Sequence, residues 1–148
     1  MKRPCILVCF VIFLLLSGCY AENPERIALR DYALAEADRV ELCNCHNGKT
    51  TTILEPGDIA AIAAFVEEAV GIRPESGKGY YEGSYSLAFY KGEEKFFSLA
   101  FGDTDCFYTG KGKDGYPIRY LLENKTISGD VIPFLSQFDR SGADYPNK

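Results

Sequence analysis

The segment 55–74 constrains the fold of this 148-residue chain more than any other stretch. Apolar side chains recur in it at helical spacing and form one stripe: Ile59, Ile62, Val66 and Val70. Alanines between them raise the intrinsic helix propensity, and Gly71 is placed to end the helix in the left-handed conformation. We therefore predict a helix over about residues 57–70. Because such a helix has one apolar face, it requires a sheet to cover that face.

Alternating apolar and polar residues predict strands on both sides of this helix. Residues 39–45 alternate, Asn47-Gly48 is a turn signal, and residues 50–54 are rich in β-branched side chains, which together predict a hairpin. Four further strand-like segments follow the helix, at residues 85–90, 95–101, 106–109 and 116–123. Asp130 as cap and Pro133 in the first turn predict a short closing helix.

This order of elements predicts one α+β domain. The expected architecture is an antiparallel sheet of about five to six strands, with the main helix and the short C-terminal helix packed on one face. We place the domain at residues 39–140. A tether with a short helix is expected over residues 19–38, and a flexible tail over residues 141–148.

The first eighteen residues have the layout of a secretory signal peptide that is cleaved. Lys2 and Arg3 form a positive start, residues 5–16 are apolar, and the small residues Ser17 and Gly18 follow. The apolar run is roughly a dozen residues, whereas a membrane-spanning helix needs about 20. The pattern thus favours a signal peptide over a transmembrane anchor.

Leu16-Ser17-Gly18-Cys19 resembles the lipobox of bacterial lipoproteins, which reads Leu, a small residue, Gly or Ala, and then Cys. The resemblance implies cleavage before Cys19, a lipid on its sulfur and acylation, for instance by palmitate, of its new amino group. Tyr20, where an Asp would favour inner-membrane retention, implies the outer membrane in a Gram-negative source. We therefore expect a lipid-anchored protein of the bacterial cell envelope, on the periplasmic side.

The charge of the chain excludes one class of partner. Removal of Lys2 and Arg3 with the signal peptide changes the formal net charge from −5 to −7. An acidic chain lacks the electrostatic footprint of a nucleic-acid-binding protein. We expect no nucleic-acid partner, a membrane contact through lipidated Cys19, and room for a protein partner, with a basic one compatible with this charge.

Three cysteines remain once Cys19 is assigned to the lipid. In an oxidising compartment the simplest outcome is a disulfide between Cys106 and one of Cys43 and Cys45, and the sequence does not choose between these two. The alternative is a zinc or copper(I) site formed by Cys43, Cys45, His46 and Cys106. No other metal and no cofactor are expected.

Tyrosines are the last candidate functional residues. The chain has 10 of them, too many to be buried together in a domain of this size, and exposed tyrosines suit recognition surfaces. A possible partner surface on the open face of the sheet would use Tyr80, Tyr81, Tyr85, Tyr90, Tyr108 and Tyr120.

The chain carries no recognisable catalytic motif. His46 is the only histidine, and nothing in the sequence places a nucleophile beside it. We expect a non-enzymatic binding or structural role for a membrane-anchored envelope lipoprotein. Two alternatives remain open, namely a periplasmic inhibitor or immunity protein that binds a basic hydrolase, and a Cys/His metal-binding lipoprotein.

Overall fold

The computed structural model describes residues 24–74, 83–112 and 115–141. Several predictions concern residues outside these ranges, namely the signal peptide, Cys19, Tyr80, Tyr81 and the tail beyond Ser141. The described ranges contain eight strands: β1 (Arg26–Ala28), β2 (Arg39–Asn44), β3 (Lys49–Ile53), β4 (Val70–Ile72), β5 (Gly83–Lys91), β6 (Glu94–Gly102), β7 (Cys106–Thr109) and β8 (Ile118–Leu122). The helices are α1 (Pro56–Glu67) and α2 (Ile132–Leu135).

All eight strands join one sheet in the order β1-β4-β8-β7-β6-β5-β2-β3, with every neighbouring pair antiparallel. This sheet with its helices confirms the predicted α+β class, but the strand count is larger than the five to six predicted. The additional strands are β1 and β4, each only three residues long. Three residues are too few for hydrophobic alternation to show in a sequence.

The hairpin formed by β2 and β3 is as predicted. Alternation along β2 buries Val40 and Leu42 on one face and leaves Glu41 and Cys43 half-buried on the other. The connection contains Gly48 at φ +70°. A side chain with a Cβ adopts this left-handed conformation at a cost, so glycine is the favoured residue there.

The main helix confirms the predicted stripe but ends earlier than predicted. Ile59, Ile62 and Val66 are buried, whereas Val70 belongs to β4 and not to the helix. Gly71 is therefore a strand residue, and the prediction of a left-handed helix cap at Gly71 is wrong. At 12 residues α1 is the longest described helix, and no described helix has the length and apolar character to cross a bilayer.

Residues 26–38 belong to the folded domain, so the predicted tether over residues 19–38 is wrong for this part. β1 pairs with β4, and two short 3-10 turns follow, with Leu29 and Leu34 fully buried. The backbone N–H of Leu34 also donates to the Glu67 carboxylate at the end of α1, at 2.7 Å. The first described strand thus begins at Arg26, seven positions after the lipobox cysteine in sequence.

The closing helical segment begins earlier than predicted. A π-helical turn, Ile127–Val131, leads directly into α2, and Thr126 is its cap. The Thr126 hydroxyl accepts from Gly129, while the Asp130 carboxylate accepts from the Thr126 backbone N–H at 2.7 Å. The hydrogen bonds that the Asp130 carboxylate accepts from the Thr126 backbone N–H and from the Thr126 hydroxyl lower the pKa of Asp130. Asp130 is therefore the reciprocal partner of the cap and not the cap itself, which corrects the prediction.

Both helices contribute to one hydrophobic core with the sheet. The core they share is a single cluster that includes the buried faces of α1, of the C-terminal segment and of the central strands. Phe65 of α1 stacks on Phe134 of α2 with ring centroids 4.1 Å apart. The opposite face carries no described helix, and we call it the open face.

Candidate functional site on the open face

The open face forms a shallow concavity of about 370 Å³. Its floor consists of small side chains on the central strands β5 and β6, which the register pairs directly, Ser86 with Ala100 and Ala88 with Ser98. Larger side chains surround this floor: Glu41, Cys43, Lys95, Tyr108 and Pro117. The concavity exists because small residues lie between large ones on neighbouring strands.

The β2 side of the rim is a compensated charge cluster. The Arg39 guanidinium lies 4.1 Å from the centre of the Tyr90 ring, and the Tyr90 hydroxyl donates to the Glu41 carboxylate at 2.9 Å. Arg39 is itself 3.9 Å from that carboxylate. The hydrogen bond to Glu41 is the main cause of the raised pKa of Tyr90, because it requires the protonated hydroxyl. Arg39 and Tyr90 thus offset the negative charge of Glu41.

Tyr108 on β7 lines the opposite side of the rim, and Arg119 on β8 is its cross-strand partner, one strand further from the floor. Tyr108 is only 6% exposed, and its hydroxyl accepts a long hydrogen bond from the Cys106 thiol at 3.8 Å. Burial is the main cause of the raised pKa of Tyr108, Cys106 and Asp103 raise it further, and Arg119 lowers it.

Arg119 has an unmet hydrogen-bonding requirement. Its Nε atom is buried and has no hydrogen-bond partner within the described part of the chain. Most buried polar groups in native proteins are hydrogen-bonded, and an unsatisfied one costs about 1–3 kcal/mol. An acceptor from outside the described residues would satisfy this group.

The three thiols are unbridged in the structure. Cys43 and Cys45 belong to the β2 end of the sheet and Cys106 to β7, with β5 and β6 between them. Two intervening strands imply a separation of about 14 Å, whereas the Cα atoms of a disulfide are usually 4.4–6.8 Å apart. The predicted pairing of Cys106 with Cys43 or Cys45 therefore does not fit this sheet.

The same separation argues against the alternative metal site. Cys106 is too far from Cys43 and Cys45 to share one ion with them, and His46 lies exposed at the hairpin turn. Among residues 24–74, 83–112 and 115–141, no group of three or more His, Cys, Asp or Glu side chains is placed to hold a metal. The structure thus separates Cys106 from the other three predicted ligands.

The predicted tyrosine surface is wrong for two of its described members. Tyr85 and Tyr120 are fully or almost fully buried in the core, where Tyr120 stacks on Phe107 at 5.4 Å. Tyr90 and Tyr108 do lie on the open face, but both are largely engaged by neighbouring side chains. The open face is thus defined by its small-residue floor more than by its tyrosines.

A polar network on the core side was missed by the sequence analysis. The side-chain amide of Asn44, 1% exposed, donates to the Asp139 carboxylate at 2.7 Å, and the Tyr85 hydroxyl donates to the same oxygen at 3.1 Å. The backbone N–H of Ser141 donates to the other Asp139 oxygen at 2.8 Å. This network ties the end of the described chain to β2 and β5.

The sequence does contain a signal for this network. Asn44 occupies the core-facing position that follows Val40 and Leu42 in the alternation of β2. A polar side chain at such a position needs a buried partner, because burying an unpaired amide is costly. Which distant residue supplies the partner is decided by the fold alone.

No known protein family, curated protein or solved structure matches this chain.

Proposed function

We propose that this protein is a lipid-anchored bacterial envelope lipoprotein whose domain has a binding role and performs no catalysis. The observation that carries the anchor is the four-residue match Leu16-Ser17-Gly18-Cys19, placed directly after a charged start and an apolar run. Lipidation at Cys19 would attach the domain to a membrane stably, because each buried methylene contributes about 0.8 kcal/mol and two or more acyl chains resist dissociation.

The start of the folded domain supports a close attachment. β1 begins at Arg26, seven positions after Cys19. Seven residues span at most about 25 Å when fully extended. The anchor would therefore hold the β1 edge of the sheet near the membrane surface, while β2, β5 and β6 lie further along the sheet. With Tyr20 after the cysteine, we place the protein on the periplasmic side of the outer membrane in a Gram-negative source.

The open face is the part of the domain best suited to binding. It combines a concavity of about 370 Å³ with a floor of small side chains that leaves room for a ligand. Ligand sites in proteins are typically concave, with a few polar groups at defined positions. The rim supplies such groups in Glu41, Lys95 and Tyr108.

Metabolic labelling with palmitate tests the anchor. We expect incorporation into the full chain, its complete loss in Cys19→Ala, and full retention in Cys43→Ala, which removes a thiol outside the lipobox. The wild-type chain should sediment with membranes, and the Cys19→Ala chain should not. Label that persists in Cys19→Ala would overturn the lipoprotein proposal.

A further inference from the structure

We infer that the open-face concavity binds a small organic oxyanion, a carboxylate or a phosphate ester, through Lys95 and Arg119. This inference rests on the proposed binding role of the open face and specifies its ligand class. The net charge of −5 by itself would favour a basic partner and not an anionic ligand. The local distribution of charge around the concavity carries the argument.

Most described cations outside the concavity have an acidic neighbour. The ion pairs are Arg26–Glu123, Arg30–Asp31, Arg73–Glu25, Lys91–Glu36 and Lys125–Glu68. On the rim itself, Arg39 is paired with Glu41. Lys95, which lines the concavity, and Arg119, beside Tyr108 at its rim, have no acidic group within 4 Å in the described ranges. The open face of this acidic protein therefore carries two cations without a described ion pair, Lys95 in the lining of the concavity and Arg119 on the strand beside it, in addition to the Arg39–Glu41 pair.

Arg119 supplies a group suited to an oxyanion. Its Nε atom is buried without a described partner, and no hydrogen bond joins its guanidinium to another described side chain. A guanidinium presents its N–H groups as a rigid planar fork that matches the two oxygens of a carboxylate or phosphate. An oxyanion would satisfy the unmet donor and pair the charge at once.

The floor adds further donors. The hydroxyl groups of Ser86 and Ser98 lie in the concavity, and neither is hydrogen-bonded within the described part of the chain. The volume of about 370 Å³ corresponds to roughly twelve water molecules, which suits a small ligand and not a folded partner. Glu41 would repel an anion only weakly, since Arg39 and Tyr90 already offset its charge.

Titration of the ¹⁵N-labelled full chain in a neutral detergent tests this inference, with amide chemical shifts as the readout. N-acetylglycine serves as the carboxylate probe and methyl phosphate as the phosphate probe, each at constant ionic strength against sodium chloride. We expect saturable shifts at Ser86, Ser98 and Tyr108 with at least one probe. The probe with the lower Kd identifies the preferred source of the oxyanion.

Substitutions then locate the binding groups. We expect Lys95→Gln and Arg119→Gln each to raise the Kd about tenfold, which corresponds to about 1.4 kcal/mol. Arg119→Lys keeps the charge but loses the fork, so it should recover only part of the affinity. Lys49→Gln is the matched control, because Lys49 is also without an ion pair but lies at the hairpin between β2 and β3, where its Nζ donates to the Ser141 carbonyl.

Three outcomes would overturn the inference. These are shifts that chloride reproduces, a Kd unchanged in both Lys95→Gln and Arg119→Gln, and no saturable shift with either probe. Unchanged amide spectra elsewhere in each variant establish that it is folded. Because palmitate incorporation is measured separately, a lipidated protein that binds neither probe would remove this inference and leave the anchor proposal intact.

Discussion

Gly71 of β4 lies directly against the aromatic ring of Phe107 in β7. A Cβ atom added at Gly71 would stand 2.5 Å from that ring and 2.8 Å from the Cβ of Tyr120. Both distances are shorter than the closest approach of two carbon atoms that are not bonded to each other. The Phe107 ring, which stacks on Tyr120, thus occupies the space that a side chain at residue 71 would need. Glycine at this position permits β4 to join the sheet.

Gly71→Ala should destabilise the domain through this contact. We expect a loss of about 1–3 kcal/mol, the usual cost of overpacking a buried site, and a lower Tm in thermal unfolding. Gly57→Ala in α1 is the control, since no atom lies within 4 Å of its added Cβ. Alanine also has the higher helix propensity, so Gly57→Ala should be neutral or stabilising. Equal Tm values for the two variants would contradict the packing argument.

Asp139 should make the stability of the domain depend on pH. Burial pushes the pKa of Asp139 upward, but hydrogen bonds from Ser141, Asn44 and Tyr85 outweigh it and leave the pKa lowered from the ordinary value of 3.8. A carboxyl with a lower pKa in the folded state contributes stability above its unfolded pKa. That contribution is lost as the pH falls below about 4 through the folded pKa.

Denaturant titrations of Asp139→Asn test this dependence. We expect the variant to lose about 1–3 kcal/mol at neutral pH, because its amide cannot accept all the donors that face the carboxylate. The difference from the wild type should shrink as the pH falls below 4. Glu93→Gln, at an exposed turn, is the control and should follow the wild type. A difference that stays constant with pH would contradict the assigned role of the carboxylate.

Ala33 is the only described residue other than glycine with a positive φ, at 50°. The left-handed conformation costs an L-residue about 1–2 kcal/mol, whereas glycine loses about 0.5–1 kcal/mol through its greater freedom in the unfolded chain. We therefore expect Ala33→Gly to leave the free energy of unfolding unchanged or to raise it by up to about 1 kcal/mol. Ala60→Gly, the same substitution on the exposed side of α1, should lower it by about 1 kcal/mol. A clear loss in Ala33→Gly would contradict the assigned backbone strain.

The thiols should differ in reactivity and should not be cross-linked through Cys106. Cys106 is 1% exposed, so we expect it to alkylate only after unfolding, whereas half-buried Cys43 should react in the native protein. Peptide mass spectrometry under non-reducing conditions is the measurement. A peptide that joins Cys106 to Cys43 or Cys45 would require a different order of strands from the one described.

Local patterns predicted the elements in which the signal is repeated over many residues. The α1 stripe of Ile59, Ile62 and Val66 and the alternation along β2 are both visible because each apolar position faces the same core. The short strands β1 and β4 could not be predicted, since their three residues pair only with distant parts of the chain. Gly71 shows the limit most clearly, because glycine after a helix is a common cap and only the Phe107 ring reveals its role.

The candidate site was predictable only in part. The sequence suggested the open face and placed Tyr90 and Tyr108 among its residues, and both do lie there. Lys95 and Arg119 were missed, because no local pattern shows which cations lack an acidic neighbour. That property depends on the pairing of β7 with β8 and on the acids that other elements bring near the remaining cations.

The sequence by itself determined the main helix α1, the six longer strands and the α+β class, because each of these depends on periodicity along the chain. The lipobox is likewise a local pattern, and it supports the proposed anchor at Cys19 without any structure. Only the tertiary structure decided the order of the strands, and with it the distance of Cys106 from Cys43 and the unmet donor of Arg119. Strand order depends on contacts between residues far apart in sequence, which no short window of the chain contains.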